Sequence, residues 1–280
     1  MKVMKKIAAV LMILVFSAIT VIANVSAAQE QCETYSGTNA GRQNYTVYSN
    51  TVKSYLTVLS DGSLLRFQAD AVEGSYIAEY YDESLSIQKT VKIDAELPLF
   101  GAFYSDGTSF YILSGQSNPD ESNSVEVYRI TKYDSSWKRL GSDGLYGANT
   151  YIPFDAGSAR IDSDGKLLFV RTCHEMYMSS DGYHHQANVT IEFNMNTMKV
   201  VDSYYSVMNV SYGYVSHSFN KFVKLDNGCI VGVDHGDAYP RSVVLCKYRR
   251  AYSASGFSQY ASYKDMLSIA GATGANDTGV

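Results

Sequence analysis

The chain has 280 residues, 46% hydrophobic and only 18% charged, with a formal net charge of −5. Without a lysine- or arginine-rich stripe, this balance argues against nucleic acid and anionic membrane surfaces as partners. The 24 tyrosines, with the Thr, Val and Ile content, favour strands over helices.

In chain order, MKVMKKIAAVLMILVFSAITVIANVSAAQEQ puts three lysines before an apolar run from Ile7 to Ile22, then the small residues Ala27 and Ala28. This predicts a helical secretory signal peptide over 1–28, cleaved on export. The apolar run is short for a permanent span, and Cys32 follows no lipoprotein-type box, so no stable membrane anchor is expected after cleavage. A secreted, extracellular chain follows, beginning with an N-terminal segment over 29–53.

Four later stretches resemble one another: LTVLSDGSLLRFQAD from Leu56, GAFYSDGTSFYILSG from Gly101, ARIDSDGKLLFVRTC from Ala159 and FVKLDNGCIVGVDHG from Phe222. Each reads as strand, two-residue Asp-Gly or Asn-Gly turn, strand, because these dipeptides tolerate the positive φ of tight hairpins. Each continues through a loop into a third strand, a polar turn (YDES, KYDSS, FNMNT) and a fourth strand. The unit is a four-stranded antiparallel meander, predicted over about 54–94, 99–140, 156–206 and 217–267. A meander cannot bury both faces alone, so copies wheel around an axis as propeller blades. A two-sheet sandwich is the rival. The expected fold is therefore an all-β propeller of four-stranded antiparallel blades, about four present. Residues 268–280 read as the start of a further blade, which would make the ring incomplete, or as a loose tail on a closed four-bladed ring.

The cysteines are Cys32, Cys173, Cys229 and Cys246. Pairing of the strands that flank residues 233–243 about Asp237–Ala238 would set Cys229 opposite Cys246, where a disulfide bridge fits the geometry; buried free thiols are the alternative.

With the strands of a blade running outward as A to D, the B-to-C loops and the D-to-A links share one face. The A-to-B and C-to-D turns share the other. All five histidines (His174, His184, His185, His217, His235) map to the first face in two neighbouring blades. From VDHGDAYPRSV, residues 233–243, Asp237, Tyr239 and Arg241 join them. The candidate ligand-binding residues are His174, His185, Asp237, Tyr239 and Tyr183, with Glu175, Asp155 and Asn220 nearby. His217, His235 and Arg241 are the catalytic candidates: imidazole as base or nucleophile, guanidinium to hold an anionic group. Each has a structural role open to it as well, such as a turn-capping aspartate or a histidine bonded within its own loop. Pairing about Asp181–Gly182 would extend HEMYMSSDGYHHQ as a ribbon with His185 opposite Met178.

Through its Asp-Gly turns and KYDSS-like turns, the chain from about Ser54 to Met266 resembles bacterial secreted β-propeller repeat proteins of the broad kelch and WD-repeat type. SHSFNKFVKLDNGCIVGVDHGDAYPRSVVLCKY is loosely similar to the active face of bacterial arylsulfotransferases, propellers that use histidines and arginine. The leading expectation is a secreted binding module for an extracellular glycan or surface protein. The alternative is a sulfotransferase- or lyase-like enzyme, with or without a metal. No short His-x-His pair marks a metal site, and the sequence identifies no cofactor.

Overall fold

The computed structural model describes residues 51–155 and 159–206, apart from the side chains of Asp70 and Ala71. It further describes strands within 218–226, 229–236, 243–249 and 261–265, where only the side chains of 222–226, 229–233 and 245–247 are included. The expected signal peptide over 1–28, most of the 29–53 segment and the 268–280 tail lie outside these residues. So do His217, Asp237, Tyr239, Arg241 and the side chains of Asn220 and His235.

The chain is an all-β propeller of four-stranded antiparallel blades, and no helix occurs among the described residues. The first sheet is β1 (Ser54–Val58), β2 (Leu64–Val72), β3 (Ser75–Tyr81) and β4 (Ile87–Asp94), paired in chain order. The second is β5 (Leu99–Ser105), β6 (Ser109–Gly115), β7 (Glu126–Asp134) and β8 (Arg139–Tyr146). The third is β10 (Arg160–Ser163), β11 (Leu167–Met178), β12 (His184–Asn194) and β13 (Lys199–Tyr204); β9 (Thr150–Pro153) adds a fifth strand against β11. The fourth is β14 (Ser218–Asp226), β15 (Cys229–Gly236), β16 (Val243–Arg249) and β17 (Ala261–Asp265).

Turn chemistry terminates the strands, in two variants of the expected design. In the second and third sheets the glycine opens the two-residue loop: Gly107 has φ 88° and Gly165 φ 83°. The preceding aspartate stays outside that loop and accepts the amides beyond it, Thr108 and Ser109 on Asp106, Lys166 and Leu167 on Asp164. The first sheet instead uses a three-residue loop, closed by Leu59 N–H to Ser63 O at 2.9 Å, with Gly62 at φ 86°. The C-to-D turns reuse the carboxylate device: Asp82 and Asp134 accept the amides two and four residues on, and Asn194 those two and three on. A large apolar residue then takes the left-handed conformation, Leu85 at φ 62°, Trp137 at φ 67° and Met198 at φ 56°.

Strand alternation decides what lies between blades. Leu65, Phe67 and Ala69 of β2 and Tyr76 and Ala78 of β3 point one way and meet Phe103, Phe110 and Trp137 of the second sheet, all buried. Phe67 stacks on Phe103 at 4.3 Å with the planes 6° apart. Val127, Tyr128 and Leu145 of the second sheet likewise meet Leu168, Val170, Val189, Ile191 and Phe193 of the third. Tyr55 of β1, Tyr104 of β5 and Ile161 of β10 all pack against that second cluster, so the innermost strands converge. Asp162 of β10 carries the seam onward, accepting Leu225 N–H at 2.7 Å and pairing with Lys224 at 3.2 Å. Convergence of inner strands in sequence order is a wheel, which two stacked sheets do not produce.

A polar clamp secures the link from β4 to β5. Glu96 takes Arg139 Nε at 2.7 Å, Arg129 Nη1 at 3.1 Å and the Tyr133 hydroxyl at 3.1 Å. Burial opposes ionisation of Glu96, but the bonds from Arg139 and Tyr133 and the Arg139 charge outweigh it and hold the carboxyl below its ordinary value.

Cys229 does not face Cys246. β15 and β16 pair about position 239, which sets Cys229 opposite Arg249 and Gly232 opposite Cys246. That register leaves a glycine beneath the fully buried Arg171 of the third sheet, whose Cδ and Nε lie 3.6 Å from where a Gly232 Cβ would stand. Among the described residues Cys173, Cys229 and Cys246 form no disulfide with one another.

Candidate functional site

The B-to-C loops and D-to-A links gather on one face, and a cleft of about 420 Å³ opens there. The first sheet contributes Glu73, Ser75 and Tyr76, the β4–β5 link Pro98, and the β9 segment Ile152 through Asp155; Lys53 stands at the side. Its lining is mixed, apolar rings beside two carboxylates and one ammonium.

Asp155 reaches this wall because Phe154 is pinned. Phe154 sits at φ 63° and is buried over the second sheet, where a Cβ on Gly115 would stand 2.9 Å from its ring. The chain leaving that anchor brings Asp155 over β11 and β12. There its backbone oxygen accepts the Cys173 thiol, and its Oδ2 accepts Gln186 Nε2 at 3.0 Å. Cys173 and Glu175 share a side of β11, two residues apart. Glu175 pairs with Ile152 on one neighbour and Gln186 on the other, so Ile152, Glu175 and Gln186 form one row. Burial raises the Glu175 carboxyl above its ordinary value, the Asp155 charge adds to this, and His184 partly offsets it.

Two register shifts shape the ribbon above this row. One falls between Glu175 and Met176 against β9, the other between Glu175 and Met178 against β12. The first leaves Tyr151 as the extra residue, and bulges of this kind re-aim side chains. Tyr151 stacks on His184, ring centroids 3.9 Å apart and planes at 15°. His184 Nδ1 lies 2.7 Å from Met176 O; a carbonyl only accepts, so Nδ1 carries the proton and Nε2 is the free acceptor in the neutral ring. The β6–β7 loop braces the ribbon: Asn118 Nδ2 donates to the Tyr177 hydroxyl at 3.0 Å, and Glu121 accepts Met178 N–H at 2.8 Å.

The histidines read from the sequence separate here. His174 is not in a loop: β11 runs on to Met178 because β9 supports its other edge. His174 is fully buried, on the side of β11 opposite Glu175, with Nδ1 2.7 Å from Thr150 Oγ1. His185 is half-exposed and pairs with Asp181 at 2.8 Å, a bond that lowers the Asp181 carboxyl. Met178 faces His184, not His185, because the ribbon turn is a three-residue loop ending at Gly182, φ 83°. Tyr183 is 69% exposed at the ribbon tip. His235 pairs with Val243 at the loop-face end of β15, the counterpart of β11 in the fourth sheet. Among the described residues no group of three or more His, Cys, Asp or Glu could hold a metal ion.

Tyr151 and Gln186 escaped the sequence reading. Gln186 meets Asp155 from 31 residues away, and no local pattern announces such a contact.

No family model and no curated protein matches this sequence. Several solved structures are similar in shape. Hydrazine synthase from Kuenenia stuttgartiensis matches at 15% identity and TM-score 0.42, over 75% of this chain and 53% of that one. An α-L-arabinofuranosidase from Clostridium thermocellum matches at 10% identity and TM-score 0.40, over 78% and 73%. Drosophila semaphorin 1a, extracellular domains 1-2, matches at 8% identity and TM-score 0.42, over 75% and 43%. This chain thus spans about half the length of the hydrazine synthase chain. The fold assignment rests on this chain's own sheets and their packing.

Proposed function

We propose that this protein is a secreted binding module that takes up an extracellular glycan on the loop face. The observation that supports it is the cleft of about 420 Å³, whose mixed lining suits one or two sugar units. The partly exposed Phe100 ring offers contact to the C–H face of a pyranose, with the edges of the buried Phe154 and Tyr76 behind it, and Glu73, Asp155 and Lys53 offer hydrogen bonds to its hydroxyls. The stacked Tyr151–His184 pair adds a flat surface on the same face. His217, His235 and Arg241, with Asp237 and Tyr239, are carried in this proposal from the sequence reading alone, as candidate residues of the same face. A surface protein remains the other ligand class for this face; the small, concave site favours the glycan.

The test is isothermal titration with xylo-, cello- and chito-oligosaccharides of four to six units. At least one series binds, and Asp155→Ala weakens it about tenfold or more, the loss of a charged hydrogen-bonding partner. Binding of none of them, or an unaltered affinity in Asp155→Ala, contradicts the reading.

A further inference from the structure

We propose that the loop face is also catalytic, with Glu175 as proton donor and Asp155 as base in the hydrolysis of a glycosidic bond. This rests on the glycan reading above and adds a reaction to it. Three observations place the two groups together. Glu175 stands in one row between Ile152, which lines the cleft, and Gln186. Gln186 holds Asp155, itself in the cleft wall, by a 3.0 Å bond from its amide. The Cys173 thiol, two residues before Glu175 on the same side of β11, touches the Asp155 backbone oxygen. Asp155 is therefore tied over the row that carries Glu175 from two directions.

Hydrolysis by paired carboxylates needs one group protonated and one ionised. Burial and the neighbouring Asp155 charge push Glu175 toward its protonated form, which suits it to the acid role. In the reaction the Glu175 proton passes to the leaving glycosidic oxygen as the bond to the anomeric carbon breaks. A water oxygen bonds that carbon, and its proton passes to Asp155. Both carboxyls return to their starting states by exchange with solvent, and the net change is addition of one water across the bond. With Nδ1 turned to Met176 O, His184 has Nε2 as its other polar atom for a sugar hydroxyl, and Tyr151 stacks on the imidazole plane.

The experiment measures reducing-end release from the same xylo-, cello- and chito-oligosaccharides, alongside binding, for the full chain and for Glu175→Gln and Asp155→Asn. Release from a bound oligosaccharide is expected, falling about 100- to 10,000-fold in each variant. Affinity in Glu175→Gln stays within about twofold, and its melting curve overlays the parent's. The kcat/KM profile of the parent falls on the alkaline side as Glu175 loses its proton, and Glu175→Gln removes that limb. Binding without release, or undiminished release from either variant, overturns the catalytic proposal and leaves the binding reading standing. If no oligosaccharide is bound or cleaved, both fall.

Discussion

Trp137→Ala lowers stability by about 3 to 5 kcal/mol, the range for removing a large buried aromatic. Chemical unfolding followed by tyrosine fluorescence and circular dichroism reads this directly. Trp137 belongs to the C-to-D turn of the second sheet, yet it is buried against the first. It stacks on Phe110 at 4.3 Å, lies 5.9 Å from Phe67, and its indole N–H donates to the Tyr80 hydroxyl at 2.8 Å. It also holds φ 67°, which is strained for a bulky residue. The site tolerates that strain because the side chain closes the seam between two blades. Alanine keeps the backbone conformation and loses the seam. A loss below about 1 kcal/mol would mean that the first two sheets do not pack through this residue.

Glu79→Ala is the second large effect, about 3 kcal/mol by the same unfolding measurement. Alternation turns Gln68 and Glu79 to the side of the first sheet opposite Phe67 and Ala78, and both are fully buried. Glu79 Oε2 accepts Gln68 Nε2 at 2.6 Å and the Tyr81 hydroxyl at 2.7 Å, with Arg66 Nη1 at 3.6 Å. Alanine removes the acceptor that these donors share and leaves a cavity. Glu79→Gln keeps the shape and one acceptor oxygen, so it costs less than alanine. The reverse order, with glutamine the worse variant, would show that neither the retained volume nor the one retained acceptor oxygen governs this position, and would contradict the account.

Much of the architecture was legible because turns carry local chemistry. Asp61, Asp106 and Asp164 mark the A-to-B hairpins, and Asp82, Asp134 and Asn194 the C-to-D turns; in each the side chain accepts nearby amides. Loop length was less legible. Ser-Asp-Gly at residues 180–182 makes a three-residue loop where Asp-Gly-Lys at 164–166 has its two-residue loop at Gly165 and Lys166, and one residue of difference shifts every partner along a ribbon. That is why His184 and not His185 faces Met178. The strand β9 was invisible because its four residues, TYIP, are too few for a period and include a proline.

The candidate site was legible only in outline. The sequence points to the loop face through its histidines, and Glu175 and Asp155 stand close to His174 along the chain. His174 and Glu175 point to opposite sides because both lie inside β11, and that follows only if β11 runs on past them. The end of β11 in turn depends on β9. The Tyr151–His184 stack needs a bulge that no composition encodes.

The most direct measurement is amide hydrogen exchange with and without a retained oligosaccharide. Protection should rise in 72–75, 94–99, 150–155 and 174–186, the segments that meet on the loop face. Exchange should stay unchanged in 59–63, 82–86, 105–109, 134–138 and 164–167, the turns of the opposite face. Protection concentrated in those opposite turns, or spread equally over both sets, would contradict a ligand site at the mouth of the wheel.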